Sequence, residues 1–343
     1  MTTTLLVTGG AGFIGSNFVR LAAAGRRVVV LDKLTYAGNL ENLAGTEHVF
    51  VKGDITAPDD VRRAFDAAAG PASVVHFAAE THVDRSIEDG APFLRTNVLG
   101  TQALLDVARE RGVERFLHVS TDEVYGPLPA GVFAAEDARL NPTNSYSASK
   151  AASDHLALAA FSTRGLPVIV TRGSNNYGPY QFPEKFVPLM IANAREGKPL
   201  PIYGDGLQER DWLSVADHCE GILAALERGR PGEIYNLAGS CPKANLDVAR
   251  FILKTLGKPE SLLRHVKDRP GHDRRYGPDP AKAARKLKWK PRAKFEDAMT
   301  ETIRWYDEHG EWLDHVRSGE YRGYYERHYG ERLRSPAPPV KPR

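Results

Sequence analysis

Short, unbroken runs of apolar residues recur through the first half of the chain, separated by longer segments with helical spacing. Leu5–Thr8, Val28–Asp32, His48–Lys52, Ser73–Ala78, Arg115–Ser120 and Pro167–Arg172 read as strands. Asp60–Ala69 and Asn97–Arg111 read as helices between them. A strand that does not alternate apolar with polar residues is covered on both faces, and strands that alternate with helices build a parallel sheet. The pattern therefore predicts an α/β fold, a doubly wound parallel sheet.

After about Asn176 the alternation stops and Pro and Gly become dense, as in the loop segment Tyr203-Gly204-Asp205-Gly206. Helical spacing returns at Val215–Glu227, Asn245–Leu256, Pro280–Leu287 and Phe295–His309. Residues 1–175 are expected to form the sheet domain, with some later segments returning to it. Residues 176–334 are expected to form mainly a smaller, substrate-binding lobe. The stretch 335–343 is proline-rich and expected to stay unpacked.

Composition narrows the partners. The chain has 343 residues, 42% of them hydrophobic, which suits a folded core of roughly two domains. The net charge of +3 comes from 46 basic and 43 acidic residues, a balance that gives no case for nucleic-acid binding. Cys219 and Cys241 are the only cysteines, so a disulfide framework is excluded and a reducing compartment, the cytoplasm, is expected. Neither has metal-ligand spacing, and no metal is expected. No basic region with a following apolar run opens the sequence, and no stretch reaches the ~18 apolar residues of a membrane span.

The first strand leads into Thr8-Gly9-Gly10-Ala11-Gly12-Phe13-Ile14-Gly15, and helical spacing follows. A tight turn and the close approach of backbone to pyrophosphate both exclude a Cβ, and the helix N-terminus then offers N–H groups to the anion. The second strand ends at Asp32, where a carboxylate accepts from ribose hydroxyls and repels a 2′-phosphate. This favours NAD over NADP, with Lys33 partly offsetting the acid. Asp54 after the third strand can accept from the adenine amino group. The small residues of Phe77-Ala78-Ala79 after the fourth let a dinucleotide lie across the sheet edge. The whole reads as a Rossmann domain.

Tyr146 and Lys150 stand four residues apart, on one face of a helix. An ammonium beside a phenol is expected to lower its pKa toward working pH, so that Tyr146 can take a proton from a substrate hydroxyl while a hydride leaves for nicotinamide. The fifth strand runs into Thr121-Asp122-Glu123. A simple dehydrogenase needs a hydroxyl there, whereas two adjacent carboxyls suit elimination of water, which requires one base and one acid.

Taken with the Thr81-His82-Val83-Asp84-Arg85-Ser86, Asn175–Lys185, Arg210-Asp211-Trp212 and Arg269–Asp273 blocks, these motifs resemble the extended short-chain dehydrogenase/reductases, and within them the dTDP-glucose 4,6-dehydratases, to about Arg334. The resemblance implies dTDP-glucose as substrate and NAD as cofactor. It implies that Tyr146 takes the O4 proton, with Thr121 bonded to the same hydroxyl and Lys150 assisting. Glu123 then removes the C5 proton and Asp122 protonates the departing C6 hydroxyl. Implied cofactor contacts are Gly9, Gly12, Phe13, Ile14, Gly15, Asp32, Lys33, Leu34, Thr35, Asp54, Ile55, Phe77, Ala78, Ala79, Thr81, Thr96, Tyr146, Lys150 and Asn176. Implied substrate contacts are Thr81, Thr121, Asn175, Lys185, Phe186, Pro201, Tyr203, Arg210, Asn245, Arg269 and His272. A homodimer through the helices Asn97–Arg111 and Asn144–Arg164 is also implied. The chain departs from the family pattern at Pro127 and at Gly277-Pro278. A 4-epimerase or decarboxylase of the same superfamily would need the tyrosine, lysine and NAD but no Asp-Glu pair. A non-catalytic NAD-binding regulator would be expected to lose the tyrosine or the lysine.

Overall fold

The computed structural model describes residues 4–69, 72–317, 323 and 325–334; the proline-rich stretch 335–343 lies outside them. Its strands, in chain order, are β1 (Thr4–Thr8), β2 (Val28–Asp32), β3 (Val49–Lys52), β4 (Ala72–His76), β5 (Arg115–Thr121), β6 (Val168–Gly173), β7 (Asn175–Tyr177), β8 (Leu200–Tyr203), β9 (Glu209–Ser214), β10 (Ile234–Leu237), β11 (Pro242–Ala244) and β12 (Leu263–Val266). Seven of them form a parallel sheet in the order β10-β6-β5-β4-β1-β2-β3. Every residue of β1, β2 and β6 is buried, as their unbroken apolar character predicts. β3, at the sheet edge, is more exposed.

Helices cover both faces. On one side Phe13–Ala23 and Val215–Arg228 pack with Phe18, Val30, Leu117, Ile222 and Tyr235. On the other, Pro58–Ala68, Thr101–Glu110 and Ser145–Arg164 pack with Leu6, Val74, Phe116 and Val170. A third core, built around Tyr177, Met190, Trp212, Ile252 and Tyr306, belongs to the later part of the chain. Two small sheets, β11-β9-β7 and β12-β8, accompany it.

Most expected elements are present within a residue or two. The Ser73–Ala78 run overshoots: β4 stops at His76, and Phe77 and Ala78 beyond it line the crevice. β10 carries no apolar run long enough to stand out, yet it completes the sheet, and the helix before it packs on the first helix. The two departures from the family pattern meet one another. Leu128 N–H donates to Arg275 O (2.9 Å), and Ala134 N–H donates to Gly277 O (2.8 Å).

Strand order reverses beside β1, with β2 and β3 on one side and β4, β5 and β6 on the other. At such a switch point the loops leaving the strand ends diverge and open a crevice. Among the described residues no helix is long and apolar enough to cross a membrane.

Candidate active site

The crevice beyond the carboxyl ends of β1, β2, β4 and β5 has a volume of about 320 Å³. Its floor is the glycine turn. Gly9 has φ +70°, and a Cβ there would lie 2.6 Å from the Ala78 backbone nitrogen. A Cβ on Gly15 would collide with the Gly9 carbonyl oxygen. Gly12 differs: its Cβ would meet nothing of the protein closer than the Gly9 oxygen at 3.4 Å, although Gly12 lines the crevice. Gly9 and Gly15 are therefore explained by the fold, and Gly12 by open space for a ligand that approaches the backbone. The helix Phe13–Ala23 begins here with no side-chain cap, so its first N–H groups face the crevice. These features fit a dinucleotide pyrophosphate.

Asp32, at the end of β2, accepts from Ala11 N–H (2.9 Å) and Leu34 N–H (2.8 Å). Leu34 adopts φ 58°, which turns its N–H back to the carboxylate, while its side chain packs on the core rather than lining the crevice. Lys33 leaves Asp32 alone and pairs with Asp54 (2.7 Å). That ammonium and the Thr56 N–H hold the Asp54 carboxyl below its usual range, against its partial burial.

Tyr146 and Lys150 lie on Ser145–Arg164, a helix started by a capping box of Asn144 with Ser147 and closed by Gly165 in the left-handed region. Lys150 donates to Val119 O on β5 (2.8 Å). Burial lowers its pKa to about 8, and Asp154, one turn on, opposes that fall. The expected lowering of the Tyr146 pKa is not what these groups produce. Burial and the Glu123 carboxylate push the phenol up, and the Thr121 hydroxyl only partly offsets them.

The turn Asp122–Tyr125 follows β5 directly, capped by the Thr121 hydroxyl, which accepts from Glu123 N–H (3.2 Å). The two carboxyls have different surroundings. Asp122 is pushed well above the usual range by burial, then by the like charges of Glu123 and Asp211. Glu123 is raised by burial, but Arg269, Arg210 and Lys185 pull it down. The pair is therefore split toward one acid and one carboxylate. Arg172, buried in β6, ties this turn to the tyrosine helix. It donates to Asp154 Oδ2 (2.9 Å) on the helix and to the Tyr125 hydroxyl (2.9 Å) on the turn.

Of the residues expected in the site, the crevice gathers Gly9, Gly12, Phe13, Ile14, Gly15, Asp32, Lys33, Thr35, Asp54 and Ile55. It also gathers Phe77, Ala78, Ala79, Thr81, Thr96, Thr121, Asp122, Glu123, Tyr146, Lys150, Asn175, Asn176 and Lys185. Leu34, Phe186, Pro201, Tyr203, Arg210, Asn245, Arg269 and His272 do not line it. Phe186 packs on Trp212, and Pro201 is buried in β8. Asn245 opens the helix Asn245–Thr255, its N–H donating to Gln208 O (3.0 Å). The rest belong to a neighbouring polar cluster: Arg210 donates to Asp273 O (3.0 Å), Arg269 pairs with Asp84 (3.3 Å), and Tyr203 contacts His272 through its ring.

The profile of the GDP-mannose 4,6 dehydratase family matches residues 6–302. A dTDP-glucose 4,6-dehydratase of Xanthomonas campestris pv. campestris (strain B100) is 51% identical over 342 residues, covering 93% of this chain and 97% of that relative. The chain belongs to the dTDP-glucose 4,6-dehydratase family. DesIV, the dTDP-glucose 4,6-dehydratase from Streptomyces venezuelae solved with NAD bound, superposes with a TM-score of 0.88 at 46% identity, over 92% of this chain and 100% of that one. A UDP-glucose 4-epimerase of Thermus thermophilus in complex with NAD gives 0.84 at 32% identity, over 89% and 99%. The dehydratases and this epimerase thus share one scaffold, so the fold alone does not separate the two chemistries.

Several contacts beside the site cannot be read from local sequence. Asp84 receives Arg269, the Tyr203 hydroxyl (3.3 Å) and His328 (3.2 Å), three elements far apart in the chain. Arg172 and Asp154 read as ordinary charged residues of a strand and a helix until the fold buries them together.

Proposed function

We propose that this chain dehydrates dTDP-glucose to dTDP-4-keto-6-deoxyglucose with NAD as a recycled cofactor. The observation that carries the reading is the split Asp122-Glu123 pair facing the same crevice as Tyr146 and Lys150. The glycine turn and Asp32 would hold the dinucleotide. NAD⁺, when bound, would supply the hydride acceptor for sugar C4 and later the hydride for C6. Thr121 and Tyr146 bind O4, and Tyr146 carries its proton. The resulting 4-ketone acidifies the C5 proton, which Glu123 removes. Asp122, the member kept protonated, gives its proton to the C6 hydroxyl, and water leaves. Glu123 can give a proton back to C5 once C6 is reduced, and the substrate and the sugar product would then differ by one water with the cofactor unchanged.

Lys185 sits at the sugar end, its ammonium donating to Thr81 O (2.7 Å). Arg210 and Arg269 suit the diphosphate, and Tyr203 with Pro201 suits the pyrimidine. Residues 1–175 together with the segment returning through β10 serve the cofactor, and the remainder to 334 serves the sugar nucleotide. Leu99, exposed by 63%, and Phe161 lie on the two helices expected at a dimer contact, and a second copy would cover them. The free cysteines suit the cytoplasm.

The test is a turnover screen of dTDP-, UDP- and GDP-hexoses by mass spectrometry. Loss of one water from dTDP-glucose supports the reading. Turnover of dTDP-glucose without a change of mass would replace it with epimerisation.

A further inference from the structure

Three segments singled out in the sequence converge at the rim of the crevice, and the reaction uses none of the side chains that meet there. The loop after β2 brings Tyr36, the segment after β4 brings Arg85, and the loop before the helix Phe186–Arg195 brings Glu184. The Tyr36 hydroxyl donates to Glu184 Oε1 (2.9 Å). Arg85 Nη2 lies 3.3 Å from Glu184 Oε2, and its guanidinium stacks 3.9 Å above the Tyr36 ring. Phe182 meets the same ring edge-on at 5.5 Å. Glu184 is only 4% exposed.

Both joined loops wall the crevice: Thr35, Ala37 and Gly38 line it from one side, and Gln181, Phe182 and Glu184 from the other. Asn17, on the helix that follows the glycine turn, also holds the second loop, donating to Pro179 O (3.0 Å). The buried carboxyl accepts a hydrogen bond from the phenol and lies within ion-pair distance of the guanidinium. Here it bridges the sheet's cofactor side to the loop that carries Lys185.

We propose that Tyr36, Arg85 and Glu184 form a clasp that retains NAD(H) in the crevice between turnovers. The inference rests on the dehydratase reading for its purpose. The reduced cofactor must stay until its hydride returns to the sugar, since escape would leave the enzyme empty and the sugar oxidised but not yet reduced. It does not rest on that reading for its test, which follows the cofactor alone.

The measurement is NAD exchange. Full-length wild-type protein, Glu184→Gln and Tyr36→Phe are loaded with radiolabelled NAD, desalted, and chased with unlabelled NAD. Glu184→Gln loses the charge that gathers Tyr36 and Arg85, and is expected to release label about tenfold faster. Tyr36→Phe keeps the ring and the stack but loses the hydroxyl, and is expected to fall between that variant and wild type. Circular dichroism establishes that each is folded, and Tyr36→Phe decides alone should Glu184→Gln fail to fold. Release at the wild-type rate from the folded variants overturns the clasp. Faster release supports it even if no nucleotide sugar is dehydrated, an outcome that would remove only the reaction.

Discussion

Asp122 and Glu123 are adjacent in the chain but sit in different electrostatic surroundings. Burial raises both; Asp122 is raised further by Glu123 and Asp211 with Arg210 opposing, whereas Arg269, Arg210 and Lys185 together oppose the rise of Glu123. Both carboxyls are raised, Asp122 the further of the two, so Asp122 is the better proton donor of the pair and Glu123 the better acceptor. Glu123→Gln should therefore slow water elimination by about 10²–10⁴-fold while C4 oxidation persists, so reduced-nicotinamide absorbance should build up during turnover. A second expectation concerns pH. Burial brings Lys150 to about 8, so its ammonium is present below that value and is lost as the pH rises through it. The rate should fall on the alkaline side near pH 8. Asp154→Asn removes the carboxylate that supports the charged form, and should move that limb to lower pH, as a pH–rate profile would record. The sequence showed the Tyr146–Lys150 pair by its spacing alone. It could not show that Glu123 raises the Tyr146 phenol, because that effect depends on the distance between a turn and a helix that the fold brings together.

At the scale of elements, the glycine turn separates two jobs that the sequence writes with one letter. Gly15 has no room for a side chain within the protein, whereas Gly12 does. Gly15→Ala should lower the thermal unfolding midpoint by several degrees, since about 1–3 kcal/mol of overpacking must be absorbed. Gly12→Ala should leave the midpoint unchanged without cofactor and weaken NAD binding, which calorimetry measures. Strands buried on both faces were legible because their apolar runs are unbroken, as in Val28–Asp32. β10 was not legible: its four residues include Asn236, whose amide is satisfied by Ala134 O (2.9 Å) and Asp279 O (3.2 Å) from distant segments. The Lys33–Asp54 pair was hidden for a similar reason. It joins the ends of β2 and β3, which only their parallel pairing brings side by side.

For the whole molecule, a scaffold shared with an epimerase carries a site arranged for dehydration. Arg172 holds the turn bearing the carboxyl pair and the helix bearing Tyr146 and Lys150 in one frame. One sugar can thus meet the oxidising and eliminating groups without leaving. On the proposed reaction the cofactor would store a hydride and return it to the same sugar. The direct measurement is the fate of deuterium placed at C4 of dTDP-glucose, followed by nuclear magnetic resonance of the product. A 4-keto-6-deoxy product with the deuterium at C6 and a solvent proton at C5 is expected. Deuterium found back at C4, or lost to an external acceptor, would contradict it.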